Sequence, residues 1–195
     1  MIALIDYDAG NTCSVMNALD RLEADYLLTD DIATIQSAEK VIFPGVGHAG
    51  AAMDDLDRKG LVEVITNLTQ PVLGICVGMQ LLAEFSEEGD TRCLGIIPGS
   101  VVRFKSSPGV KVPHMGWNQT HQVTDAPLFN GIEDNAHFYY VHSYYLPTGP
   151  TTIASCTYTK PFAAVVQKDN FTGIQFHAEK SGDNGARLLH NFINR

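Results

Sequence analysis

The sequence is poor in cysteine, and its cysteines are not spaced to share an ion. Four are present, Cys13, Cys76, Cys93 and Cys156, with no C-x-x-C pair, which argues against a zinc ribbon and against a dense disulfide framework. Basic clusters are lacking as well. Thirteen Lys and Arg stand against twenty-two Asp and Glu, a formal net charge of −9, so no stretch can neutralise a run of phosphates and nucleic-acid binding is not expected. No apolar run approaches the ~20 residues of a membrane helix, since the longest, Pro71 to Ala83, is broken by Gln80 and two glycines. The apolar N-terminus has no basic flank and is interrupted by Asp6 and Asp8, so a signal peptide is not expected and a cytoplasmic location is. Glycine and proline are too sparse and aperiodic for a collagen-like or low-complexity chain. What remains, 195 residues at 45% hydrophobic content, has the size of a single domain, residues 1–195, with its own core.

The first half alternates strand and helix patterns. Ile2 to Ile5 is a continuous apolar run, as in a strand buried on both faces. Val15, Leu19 and Leu22 then recur at i, i+4 and i+7, one face of a helix that Asn11 or Thr12 can cap. Lys40 to Phe43 reads as a strand running into Pro44-Gly-Val-Gly47, and Val72 to Ile75 as a strand running into an amphipathic stretch bearing Leu81, Leu82 and Phe85. Such alternation predicts a mostly parallel sheet covered on both faces. Later, Phe138 to Leu146, Thr152 to Thr157, Phe162 to Gln167 and Phe171 to Phe176 are strand-like with short turns between them, which predicts antiparallel additions. A last amphipathic helix carries Leu188, Leu189, Phe192 and Ile193 on one face, and Lys105 to Gly109 reads as a turn.

One cysteine stands apart. Gly74-Ile-Cys76-Val-Gly78 has the G-x-nucleophile-x-G spacing of a nucleophile elbow, in which glycines let the chain turn sharply and lift one strained residue to the tip. A buried structural cysteine is the bland alternative, and the strand-turn-helix context weighs against it. A thiol at a helix N-terminus is favoured as the thiolate, the reactive species. Such a nucleophile needs a base, and the base an orienting group. His177 ends an apolar strand and has Glu179 two positions on, where i and i+2 point the same way and the carboxylate can fix the imidazole tautomer. The amide of Val77 supplies one oxyanion donor, and the Pro44-Gly45-Val46-Gly47 loop is the obvious source of a second, with an ordinary strand-to-helix turn as the equal alternative. Gln80, four residues after Cys76, returns to the nucleophile's face and can hydrogen-bond a polar substrate, a partly exposed helical glutamine being the bland alternative.

P-G-V-G (44–47), G-I-C-V-G-M-Q (74–80) and F-H-A-E-K-S-G (176–182), read together, resemble the class I, or triad, glutamine amidotransferases. V-P-H-M-G-W-N (112–118) and F-Y-Y-V-H-S-Y (138–144) narrow the likeness to the glutaminase subunits of imidazole glycerol phosphate synthases. The resemblance implies a flavodoxin-like α/β fold, glutamine hydrolysis without cofactor or metal, and the triad Cys76, His177 and Glu179. It implies oxyanion donors at Val77 and at Val46 or Gly47, with glutamine held by Gln80, Glu88 and the backbone of Ser143 and Tyr144. Its implied partner is a separate (β/α)₈-barrel cyclase that receives the ammonia, forming a heterodimer, with Asn11, Tyr139 and Lys180 facing it. A helix cap, a sheet aromatic and a solvated lysine are the bland alternatives for these three, and Trp117 is either core or interface. Two departures stand out. Ala178 replaces the usual proline between the triad His and Glu, which predicts a slightly less rigid segment, and His48 is assigned no role. A thiol peptidase shares the elbow, a glutaminase of another synthase shares the thioester, and a non-catalytic binding subunit is disfavoured because nucleophile, base and orienter are all present.

Overall fold

The computed structural model describes residues 1–8, 12–106 and 109–194. Asn11 lies outside the described residues, and the 105–109 turn is described only at its ends. The chain begins β1 (Ile2–Ile5), α1 (Thr12–Arg21), β2 (Tyr26–Thr29), α2 (Ile32–Ser37), β3 (Lys40–Phe43), α3 (Ala49–Arg58), α4 (Leu61–Thr66), β4 (Val72–Ile75) and α5 (Val77–Leu81). A strand-rich half follows: β5 (Phe85–Ser86), β6 (Thr91–Arg92), β7 (Ser100–Arg103), β8 (His114–Gln122), β9 (Ala136–His142), β10 (Tyr144–Tyr145), β11 (Thr152–Thr157), β12 (Pro161–Lys168) and β13 (Phe171–Ile174). Helix α6 (Gly182–Ile193) closes the described chain.

Among the described residues, nine strands form one sheet in the order β2-β1-β3-β4-β13-β12-β11-β8-β9. The five from β2 to β13 pair in parallel, and β12, β11, β8 and β9 continue antiparallel. This is the flavodoxin-like α/β arrangement, with its inner parallel strands buried on both faces: every residue of β1 and β4 is buried, as their unbroken apolar runs require, while the edge strand β2 is partly exposed. Helix α1 turns Val15 and Leu19 inward, and α6 turns Leu188, Leu189 and Phe192 inward. Each such side chain contributes about 1.5–3 kcal/mol by leaving water.

Three expectations are corrected. Phe138 to Leu146 is not one strand: the chain leaves the large sheet at Ser143, and Tyr144–Tyr145 pairs with β7 in a second sheet of order β10-β7-β5-β6. Strand β13 is antiparallel to β12 but parallel to β4, so it joins the two halves of the sheet. The amphipathic helix after Cys76 stops at Leu81, because Phe85 enters β5 and pairs with Arg92 and Ser100.

Candidate active site

The carboxyl ends of β3, β4 and β13 meet at a cavity of about 290 Å³ lined by Val46, Gly47, Cys76, Val77, Gln80, Glu88, Ser143, Tyr144 and His177, with Pro113, Val141 and His142. Ligands of open α/β sheets occupy this end. Eight expected oxyanion, glutamine-binding and catalytic residues therefore share one cavity with His177, and Glu179 stands behind it.

Cys76 has φ 54 and ψ −107, a left-handed backbone that costs a non-glycine residue energy and persists only when its surroundings enforce it. They do so from two sides. The Cys76 N–H donates to the Ile174 carbonyl of β13 at 2.8 Å, and the Gln80 N–H closes the first turn onto the Cys76 carbonyl at 3.1 Å. Gly78 packs against the Phe43 backbone where any Cβ would collide with the carbonyl oxygen. The elbow is thus a consequence of β4, β3 and β13 converging with no side chain between them.

His177 leaves the end of β13 in extended backbone and precedes a single turn of 3₁₀ helix, Ala178–Lys180. Its Nδ1 hydrogen-bonds Glu179 Oε1 at 2.7 Å, with both side chains only 2% exposed. A carboxylate accepts, so Nδ1 donates to it, and Nε2 is left toward the cavity with no hydrogen-bond partner among the described residues. Burial pushes the His177 pKa down, but the Cys76 sulfur and the Glu179 carboxylate outweigh it and hold it at about 10. The imidazole is therefore protonated at neutral pH. The turn is clamped by groups the sequence did not announce: Ser181 Oγ donates to the His177 carbonyl at 2.6 Å, and the His177 N–H donates to the Tyr139 carbonyl at 2.9 Å.

The remaining cysteines contrast with Cys76. Burial raises the thiols of Cys93 and Cys156 to about 11 and about 12, which makes both inert, and Cys13 is an exposed helical residue outside the cavity. Among the described residues, no group of three or more His, Cys, Asp or Glu is arranged to hold a metal ion.

The amides expected to serve as oxyanion donors are not free. The Val77 N–H donates to the Gly45 carbonyl at 3.3 Å. In a trans peptide the carbonyl and the following N–H point in opposite directions, so the Val46 N–H is turned away from the cavity. Tyr7, which sequence reasoning missed, fixes the start of this loop: its buried hydroxyl donates to the Pro44 carbonyl at 2.6 Å, and burial drives its pKa far up. A buried tyrosine just after β1 carried no motif to flag it.

Gln80 is 3% exposed, and its Nε2 donates to the Tyr144 carbonyl at 2.9 Å and to Gln175 Oε1 at 3.0 Å. Its carbonyl oxygen is what remains for a ligand. Glu88 accepts the Ala49 N–H at 2.8 Å and so caps α3. His48 caps the same helix through Nδ1, accepting the Gly50 N–H at 3.1 Å, a structural role where none was assigned.

Beside the triad turn lies an apolar face on β8 and β9. Met115 and Trp117 are 63% and 54% exposed, opposite Val141 and Tyr139. The Tyr139 ring meets Trp117 edge-on at 6.1 Å, and Lys180 is exposed on the triad turn. Solvated apolar clusters of this kind mark interaction surfaces.

Comparison with known proteins follows the same lines. The chain matches the family model for glutamine amidotransferase class-I over residues 3–195. It is 48% identical over 194 residues to imidazole glycerol phosphate synthase subunit HisH of Haemophilus influenzae, covering 100% of this chain and 97% of that one. The HisH subunit of Bacteroides thetaiotaomicron is 49% identical over 193 residues, covering 98% of each. Among solved structures, a glutamine amidotransferase superposes with TM-score 0.75 at 15% identity, covering 100% of this chain and 98% of its own. A putative GMP synthase component from Thermoplasma acidophilum gives 0.74 at 20% identity, covering 99% and 92%. These two carry the fold alone.

Proposed function

We propose, for a chain that belongs to the class-I glutamine amidotransferase family and within it to the HisH subunits of imidazole glycerol phosphate synthase, that Cys76, His177 and Glu179 release ammonia from L-glutamine through a γ-glutamyl thioester. Family membership carries the activity, glutamine amidotransfer in the synthase of histidine biosynthesis. One observation carries the residue roles: a His177–Glu179 hydrogen bond of 2.7 Å whose imidazole lines one cavity with a cysteine at φ 54.

The Cys76 thiolate attacks the side-chain amide carbon of glutamine. His177, protonated at neutral pH, gives its proton to the departing ammonia, so the C–N bond breaks as the C–S bond persists. The same imidazole then takes a proton from water, which attacks the thioester and expels the thiolate with glutamate. Glu179 holds the tautomer throughout. Val77 and either Val46 or Gly47 stabilise the oxyanion of both tetrahedral steps, while Gln80, Glu88 and the backbone of Ser143 and Tyr144 hold the amino acid. A carboxylate such as Glu88 is a natural partner for its ammonium.

With the Val77 N–H occupied by the Gly45 carbonyl, the hole is incomplete in the resting loop. Each missing donor is worth about 10²–10³ in rate, so the free chain is expected to turn glutamine over slowly until its partner reorders Pro44–Gly47. That partner is a (β/α)₈-barrel cyclase in a cytoplasmic heterodimer, seated on the Met115–Trp117–Tyr139 face beside Lys180, receiving ammonia directly for imidazole glycerol phosphate synthesis. Cys76→Ala is expected to abolish glutamate formation by the complex. Amide-¹⁵N glutamine is expected to deliver its label to imidazole glycerol phosphate. Glutamate formation surviving in Cys76→Ala overturns the triad assignment, and unlabelled product overturns the transfer.

A further inference from the structure

Gln175 lies between β13 and His177, fully buried, and belongs to no part of the triad. Its Nε2 donates to the Cys76 sulfur at 3.8 Å, within range for a sulfur acceptor. Which end of a carboxamide faces a neighbour is settled by its other partners, and here they leave one answer.

The fixed point is the Tyr144 carbonyl, which can only accept. His142 Nδ1 lies 2.8 Å from it and must be the donor. Burial lowers the pKa of His142 to about 3 and of His114 to about 4, so each ring is neutral and carries one N–H. His142 Nε2 is then an acceptor, His114 Nδ1 must donate to it across 3.0 Å, and His114 Nε2 accepts the Asn118 amide at 3.2 Å. On the other side, the same carbonyl requires Gln80 to present Nε2. That Nε2 faces Gln175 Oε1 at 3.0 Å. The Gln175 N–H is thereby forced onto the sulfur.

We infer that Gln175 is a hydrogen-bond donor to the sulfur of Cys76, and that Gln80 and the His142–His114 pair hold it there through the Tyr144 carbonyl. This rests on the reading of Cys76 as the nucleophile. Four buried polar side chains at one place, Gln80, His114, His142 and Gln175, are costly unless each is bonded, and an apolar side chain would fill the volume of Gln175 without that requirement. What only the carboxamide supplies is an N–H directed at the sulfur. It stabilises the thiolate before attack and again when the C–S bond of the thioester breaks and its electron pair returns to sulfur. Gln80 touches both the glutamine cavity and Gln175, so the substrate site and the nucleophile share one network.

The test follows alkylation of Cys76 by iodoacetamide against pH, read by mass spectrometry of the Cys76 peptide, with exposed Cys13 as the reference in the same sample. His177, Glu179, Glu88, His142, Tyr144 and Tyr7, the ionisable groups around the sulfur and its cavity, stay in place in every variant. Gln175→Met is expected to move the midpoint of the Cys76 profile to higher pH by about one unit, a tenfold change at the lower end for a hydrogen bond to a charged acceptor, with the Cys13 profile unmoved. Gln80→Met, which keeps the Gln175 amide but frees its orientation, is expected to shift it the same way by less. Where Gln175→Met does not fold, Gln80→Met alone decides. A Cys76 profile superimposed on the parent in a folded variant overturns the inference. Glutamate formation by Cys76→Ala overturns instead the nucleophile reading, a separate measurement.

Discussion

Replacing Val46 with glycine is expected to raise the glutaminase activity of the chain in the absence of its partner. The Gly45 carbonyl accepts the Val77 N–H at 3.3 Å, and the Val46 N–H on the same peptide plane points away. Completing an oxyanion hole through Val46 means turning that plane over, which changes ψ of Gly45 and φ of Val46 by about half a turn while the rest of the loop stays in place. Val46 is not among the residues with positive φ, so the turned peptide drives its φ into the left-handed half. There an L-residue loses roughly 1–2 kcal/mol, and a β-branched one is an outlier. Glycine removes that cost. The population of the turned loop, and the turnover that depends on it, then rises about 5- to 30-fold. The assay is glutamate formation at saturating glutamine by the isolated chain, with Val46→Ala expected between parent and glycine variant. Turnover in Val46→Gly equal to or below the parent, with an unchanged unfolding curve, refutes the reasoning. Val46→Pro settles which amide is the second donor. It removes one N–H, so partner-stimulated activity falls about 10²–10³-fold if Val46 donates and survives if Gly47 does.

The His177 pKa gives a stability signature. It is raised from 6.5 to about 10, so between those values the folded chain binds more protons than the unfolded one. Its contribution is complete below pH 6.5 and is lost as pH rises toward 10; urea unfolding of His177→Asn is expected to show a flatter decline across that window. Trp117→Ala removes a half-exposed aromatic from the proposed partner face and is expected to weaken the complex at least ~10-fold by calorimetry, leaving glutaminase activity of the free chain unchanged. Ala178→Pro is expected to stabilise the chain by about 0.4–1 kcal/mol in urea unfolding, because Ala178 opens the 3₁₀ turn after a residue at φ −89, ψ 96, which suits the position before proline.

How much of this was legible in the sequence depended on how far apart the cooperating residues lie. The elbow and the His177-x-Glu179 pair are readable because each is a local device: two glycines around one residue, or two side chains at i and i+2, fix the geometry within a few residues. The parallel strands are readable because burial on both faces leaves an unbroken apolar run, as in Ile2 to Ile5. Strand β8 is harder to read, since it buries His114 and Thr120 while exposing Met115 and Trp117. Its inward face is partly polar and its outward face partly apolar, so the alternation that marks a half-buried strand is inverted. The same inversion conceals function. His114 and His142 are buried because they complete each other's hydrogen bonds across 3.0 Å, a pairing set by the β8–β9 register.

The break at Ser143 shows the other limit. Propensity sees a run of strand-forming residues before it and more after it, with nothing to separate them. What divides them is pairing with β7, some forty residues earlier in the chain, which pulls Tyr144–Tyr145 into a second sheet. That change of sheet exposes the Tyr144 carbonyl to Gln80 and His142 together. A continuous strand would have committed the carbonyl to a neighbouring strand, and Gln80 and Gln175 would have lost the acceptor that fixes their direction. The feature least visible in the sequence is therefore the one on which the orientation of the buried amides at Cys76 depends. Local motifs identify the chemistry here, while the aim of its supporting groups is a property of the sheet.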